Sequence, residues 1–157
     1  MRSIAAEAGI DPALIRHFFG DKENLFAQSL EFPDSVPAAI VSAFAAGSDG
    51  LGERLTRLYL GLWESQESGP ILLALARSAL GHPVAMDRFR EFLVQTIGRG
   101  AAPYVKGDGA QLHLELAISQ LLGVALARHA TRTPSVVAAS LDTIVAEVAP
   151  SIQVLLG

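Results

Sequence analysis

The chain has 157 residues, half of them hydrophobic and only 18% charged, with a formal net charge of −4. That length suits one domain, or one with a small appendage, and the lack of cysteine excludes disulfides, thiol catalysis and thiolate metal sites. The acidic balance excludes nucleic-acid binding by overall charge, so any such contact has to be local, and a surface this sparsely charged points to burial against a partner.

Ala and Leu dominate, no stretch alternates with period two, and Gly and Pro punctuate the chain, so an all-α fold is expected. Short helices are expected over residues 2–8, 12–18 and 22–31. Longer ones follow over 35–46, 51–67, 70–80, 84–100, 109–130 and 135–149. The longest apolar runs, 71–76 and 121–127, fall far short of the ~18 residues of a membrane span. The start lacks a basic-then-apolar leader. A cytoplasmic protein without a membrane contact is the expectation.

The first thirty residues are tightly punctuated. Ile4, Ala5 and Ala8 share one side of a two-turn helix, and Gly9 is suited to the left-handed conformation that ends it. Asp11 is a good N-cap and Pro12 sits at the first helical position, where its missing N–H costs nothing. The second helix is expected to turn Ile15 and Phe18 (or Phe19) inward, alongside Leu25 and Phe26 of the next. Gly20 stops it, and Asp21 caps the helix that Lys22 opens. Helix, short glycine turn, helix is the arrangement that lays its second helix in the major groove of DNA.

The run Ile4-Ala-Ala-Glu-Ala-Gly-Ile-Asp-Pro-Ala-Leu-Ile-Arg-His-Phe-Phe-Gly-Asp-Lys-Glu-Asn-Leu-Phe26 resembles the DNA-binding motif of the TetR family. That motif typically reads Ile-Ala-x-x-Ala-Gly-Val, four variable residues, then Leu-Tyr-x-His-Phe-x-x-Lys-x-x-Leu. The resemblance implies a helix-turn-helix segment over 1–31, followed by a helical ligand-binding and dimerisation domain of the TetR type over 32–157. It implies that Pro12, Ala13 and Leu14 face base edges and thymine methyls in double-stranded operator DNA. Arg16, which stands where the family more often has tyrosine, reaches base or phosphate. His17, taken as the motif's histidine, and Lys22 contact phosphate, and Ser3 adds a further phosphate contact. In the family another helix precedes the motif. The chain is therefore expected to be a fragment, with its DNA-binding segment incompletely supported.

No catalytic constellation is visible: there is no nucleophile elbow, phosphate-binding glycine loop or zinc-protease motif, and the four histidines are scattered. No enzyme activity, cofactor or metal is expected. The only Trp, Trp63, and one of two Tyr, Tyr59, share a helix that in the TetR family lines the inducer pocket. Tyr59, Trp63, Phe89, Phe92, His113 and Gln120 are the candidate lining for a small apolar or aromatic effector. The competing reading of these aromatic stripes is plain core.

Residues 110–157 carry five charged side chains, Glu115, Arg128, Arg132, Asp142 and Glu147. The segment 112–127 is apolar almost all round, so it is expected to be buried on more than one side. Ser119, Gly123 and Ala127 form a small-residue stripe, and Val137, Leu141, Ile144, Val145 and Val148 an apolar one. Both favour a homodimer through residues 109–149, as the family's four-helix interface implies. The rival expectation is a dimeric small-molecule-binding or interaction protein that has lost DNA binding with its first helix.

Overall fold

The computed structural model describes residues 2–22, 25, 35–81, 86–87, 89–91, 97–101 and 103–157, and every element among them is helical. α1 (Arg2–Ala8) and α2 (Pro12–Phe19) are joined by a turn that Gly9 makes. Its φ of 68° lies where an L side chain costs about 1–2 kcal/mol. The Ile10 amide donates to the Ala5 carbonyl at 3.0 Å and the Gly9 amide to Ala6 at 3.4 Å, the paired closure of a Schellman end. Asp11 then opens α2, its carboxylate accepting from the Ala13 amide at 2.7 Å. Gly20, at φ 74°, closes α2 by donating to the Arg16 carbonyl. Lys22 and Leu25 are helical, and the rest of the helix expected over 22–31 lies outside the described residues.

Ile15 is the buried residue of α2, Phe19 is half-buried, and Phe18 is 69% exposed. The inward position therefore goes to Phe19: four positions after Ile15 brings it nearer the same face than three does.

The body is organised around α4 (Leu51–Glu64). α3 (Ser35–Ala45) precedes it, and α5 (Gly69–Gly81) follows after a tight corner. Residues 86–87 and 89–91 are helical, Ile97 and Gly98 adopt a wider π-type backbone, and a single turn follows at Arg99–Ala101. Residues 84–85, 88 and 92–96 of the helix expected over 84–100 lie outside the described residues. α6 (Ala110–His129), α7 (Pro134–Ala138) and α8 (Leu141–Leu156) complete the chain.

α4 packs against α3, α5, α6 and α8, so its apolar residues face several ways: Phe44, Thr56, Leu60, Val145 and Ile152 are fully buried around it. Burial of a side chain such as Leu60 stabilises by about 1.5–3 kcal/mol. The α4–α8 contact is close because Gly52 has no side chain. A Cβ there would sit 2.4 Å from the Ala149 carbonyl oxygen and 2.6 Å from the Gln153 nitrogen.

The single helix expected over 135–149 is two. Ala139 is extended, and Ser140 starts a new helix by accepting from the Thr143 amide at 3.1 Å. α8 then continues past Pro150, beyond the end expected at 149. An interior proline removes one helical bond at a cost of about 3 kcal/mol. Pro150 is exposed while Ile144, Val145, Ala149 and Ile152 are buried, and this buried row sustains the helix through the break.

Candidate functional site

α1 and α2 form a small unit joined through Ala5, 0% exposed, and Ile15, 2% exposed. Anchoring α2 by Ile15 leaves Pro12, Ala13, Leu14, Arg16 and His17 all exposed, with Ser3 on α1 and Lys22 beyond the Gly20 turn exposed as well. All seven residues expected to meet DNA are thus accessible. The charges of residues 2–22 balance, with Arg2, Arg16 and Lys22 against Glu7, Asp11 and Asp21. Asp11 already occupies the N-terminus of α2, where a phosphate would otherwise be favoured.

Counted from Ala8-Gly9, the motif's histidine falls at position 18, which is Phe18, and His17 takes the variable position before it. The two rings meet edge to face at 5.2 Å. With Ile10 47% and Leu14 50% exposed, Phe18 completes an exposed apolar row across the turn and α2.

A second feature lies in the body. Between α3, α4 and α6 lies a cavity of about 30 Å³, lined among others by Ile40, Phe44, Leu55, Tyr59, Ile118 and Leu121. That volume holds about one water molecule, whereas pockets for small organic ligands run to about 300–1,000 Å³. Burial raises the pKa of the Tyr59 phenol, so the hydroxyl is neutral.

Of the residues expected to line a ligand site, Tyr59 reaches this cavity. Trp63, one turn on, is 3% exposed and packs at 6.4 Å from the Tyr59 ring and, stacked, 5.9 Å from His129. His129 Nε2 is buried without a hydrogen-bond partner among the described residues, while the Trp63 N–H is directed at the Tyr59 phenol. Burial, and then the neighbouring Arg128, lower the His129 pKa.

Phe89 sits in a separate cluster with Leu75 and Ala79, and Phe92 lies outside the described residues. The structure does not bring His113 and Gln120 to the cavity. Both are exposed, and Gln120 donates to Ser151 Oγ on α8 at 2.6 Å. Each stands one position before a buried leucine, Leu114 or Leu121, and one residue turns a helix by about 100°. The aliphatic residues that do line the cavity carry no chemical signature. The spacing of Leu114, Ala117, Leu121 and Ala125 was the available clue to which face of α6 turns inward.

The opposite face of α6 is uncovered: Leu112 is 57% and Leu116 47% exposed, with Ser119 and Gly123 exposed beside them. A Cβ on Gly123 would meet nothing within 4 Å. Contrary to the expectation from contiguous apolar runs, α6 at 20 residues is long and apolar enough to cross a membrane by length and composition. It packs on α4 and α8 along one face, and 22% of its apolar window is buried.

Residues 49–156 match the family described as tetracyclin repressor-like, C-terminal domain. No curated protein matches the chain. Among solved structures it is similar to a TetR-family regulator from Streptomyces coelicolor A3, with 34% identity and a TM-score of 0.67. That likeness covers 98% of this chain and 80% of the other.

Proposed function

This chain belongs to the TetR family of regulators, and we propose that it acts in the cytoplasm as a homodimeric, ligand-responsive transcriptional repressor of a palindromic operator. The observation that carries the reading is the exposed row Pro12, Ala13, Leu14, Arg16 and His17 on a helix whose inward side is Ile15 and Phe19. A helix held in that way can enter a major groove. Two copies, related by a twofold axis, place their helices in successive major grooves about 34 Å apart.

Residues 1–31 form the DNA-binding part, and residues 32–157 sense the ligand and dimerise. The uncovered face of α6, with residues up to 149, supplies the interface, since exposed leucines beside small residues suit close helix packing between copies. The effector is a small apolar or aromatic molecule that enters between α3, α4 and α6. Ile40 and Phe44 make α3 part of the cavity wall. A ligand that favours a wider cavity therefore favours a different placement of the helix leading to α1 and α2.

Selection of bound duplexes from random DNA tests the reading, and enrichment of one palindrome is the expected result. If nothing is enriched while thermal-shift screening finds stabilising ligands, the chain is instead a dimeric small-molecule-binding protein. Gly123→Arg should dissociate the dimer by burying an unpaired cation. A wild-type monomer at micromolar concentration in analytical ultracentrifugation would remove the dimer from the scheme.

A further inference from the structure

The turn between α3 and α4, residues 46–50, is held by two side chains from outside it. Arg54, on the first turn of α4, donates through Nε to the Ala43 carbonyl at 3.1 Å, through Nη2 to Gly47 and through Nη1 to Asp49. One planar guanidinium thus collects carbonyls from the last turn of α3 and from the turn itself. These lie at the negative end of the helix, where a cation is favoured. Gln153, on α8, supplies the second hold. Its Nε2 donates to the Ser48 carbonyl at 3.0 Å and its Oε1 accepts from the Gly52 amide at 2.8 Å. Gly50 has no side chain to cap α4, so Gln153 provides that cap from 101 residues away. Gly47 and Gly50, at φ 94° and 66°, give the backbone the bends that present these carbonyls.

The placement gives the pair a role beyond stability. α3 contributes Ile40 and Phe44 to the cavity, and its C-terminal end is what Arg54 grips. α8 holds the same turn through Gln153 and packs closely on the first turn of α4 at Gly52. The middle of α3 rests on the turn Arg99–Ala101, where Gly100 lies against Ile40 and Val41, while its C-terminal end is held by Arg54 directly and by Gln153 through the turn.

We propose that Arg54 and Gln153 form a latch that fixes α3 against the body and sets how strongly the state of the cavity is transmitted to the DNA-binding helices. The proposal rests on the DNA-binding reading above for its consequence, though not for the latch itself. Neither residue belongs to the row proposed to meet DNA, and neither lines the cavity. Both act through α3, as positioning residues.

The test uses the absence of cysteine. Cysteines introduced at exposed Ala38 on α3 and exposed Arg77 on α5 carry a pair of spin labels. Labelled chain is diluted into excess unlabelled chain, so that only distances within one chain are read. Gln153→Glu keeps the acceptor for Gly52 and removes only the donor to Ser48, while Arg54→Lys keeps the charge and loses the fork. The wild type should give one narrow distance, and both variants a broad distribution with unchanged helical content. Affinity for duplexes selected by the wild type should fall about tenfold in each variant, the scale of one lost hydrogen bond. If Arg54→Lys does not unfold cooperatively, Gln153→Glu decides alone. Distances as narrow as in the wild type overturn the latch, whatever happens to DNA affinity. A wild type that selects no duplex overturns the DNA-binding reading instead, and the label distances still decide the latch.

Discussion

Arg128 near the end of α6 pairs with Glu64 at the end of α4, Nε to Oε1 at 2.8 Å, with only 15% and 32% of the two side chains exposed. The same guanidinium donates through Nη1 to the Val136 carbonyl at 2.6 Å and the Ala139 carbonyl at 2.8 Å. One side chain thus closes the corner between α6, α7 and α8. Arg128→Ala leaves two carbonyls and a half-buried carboxylate without their donor and should destabilise by about 2–4 kcal/mol. Arg128→Lys should recover part of this, because an ammonium cannot span the same acceptors. Urea unfolding of both variants and of Glu64→Gln, combined as a double-mutant cycle, measures the pair. A loss below about 0.5 kcal/mol in Arg128→Ala would class it with ordinary surface pairs.

His129 gives a pH dependence with a definite sign. Its folded pKa lies below the ordinary value of 6.5, because of burial first and Arg128 and Arg132 after it, with Glu64 opposing. The unfolded chain therefore binds the proton more readily, and stability rises with pH through that window. The contribution is complete above about pH 6.5 and is lost as pH falls toward the folded value. His129→Gln should shed this slope. Urea midpoints of wild type and variant, compared between about pH 7.5 and pH 5.5, should show the wild type losing more. Parallel pH profiles would assign the dependence to other groups.

Two glycines make opposite predictions. Gly52→Ala places a methyl against the backbone of α8, which cannot give way as a flexible side chain would. It should destabilise by about 1–3 kcal/mol or more. Gly123→Ala meets nothing in the single chain and should stabilise the helix by up to about 1 kcal/mol. If Gly123 lies in the proposed interface, the same change should weaken dimerisation. Unfolding read alongside sedimentation separates the two effects.

Enlarging the cavity should expose its character. Leu121→Ala removes a wall residue that is 5% exposed and should cost about 2–4 kcal/mol. The widened, apolar space should then take up benzene or indole, and either compound should raise the melting temperature of the variant more than that of the wild type. Equal shifts in the two proteins would place the binding elsewhere.

Much of the architecture was legible because its signals are local. Gly9, Asp11, Pro12 and Gly20 act within a few residues of themselves, and the turn they specify is the one observed. The break at Ser140 was hidden because its cap is a single hydroxyl in an Ala- and Val-rich stretch. The continuation of α8 past the end expected at 149 depends on burial against α4, far away in sequence. The candidate lining was harder still. His113 and Gln120 were favoured for their polarity, yet which way they point depends on the rotation of α6, and a helix apolar all round leaves that to tertiary packing.

The smallness of the cavity has its own consequence for sensing. If an effector binds between α3, α4 and α6 as proposed, a space of about 30 Å³ has to widen to admit it, so it binds only the fraction of chains in which the space has widened. Its apparent dissociation constant is the intrinsic one divided by that fraction. Substitutions that never touch the molecule but loosen or tighten the packing of Phe44 or Leu55 would then move the concentration at which the protein responds. The threshold of such a sensor is written in the stability of its closed core as much as in its contacts. A lineage could retune its response by single methyl groups while leaving ligand recognition unchanged.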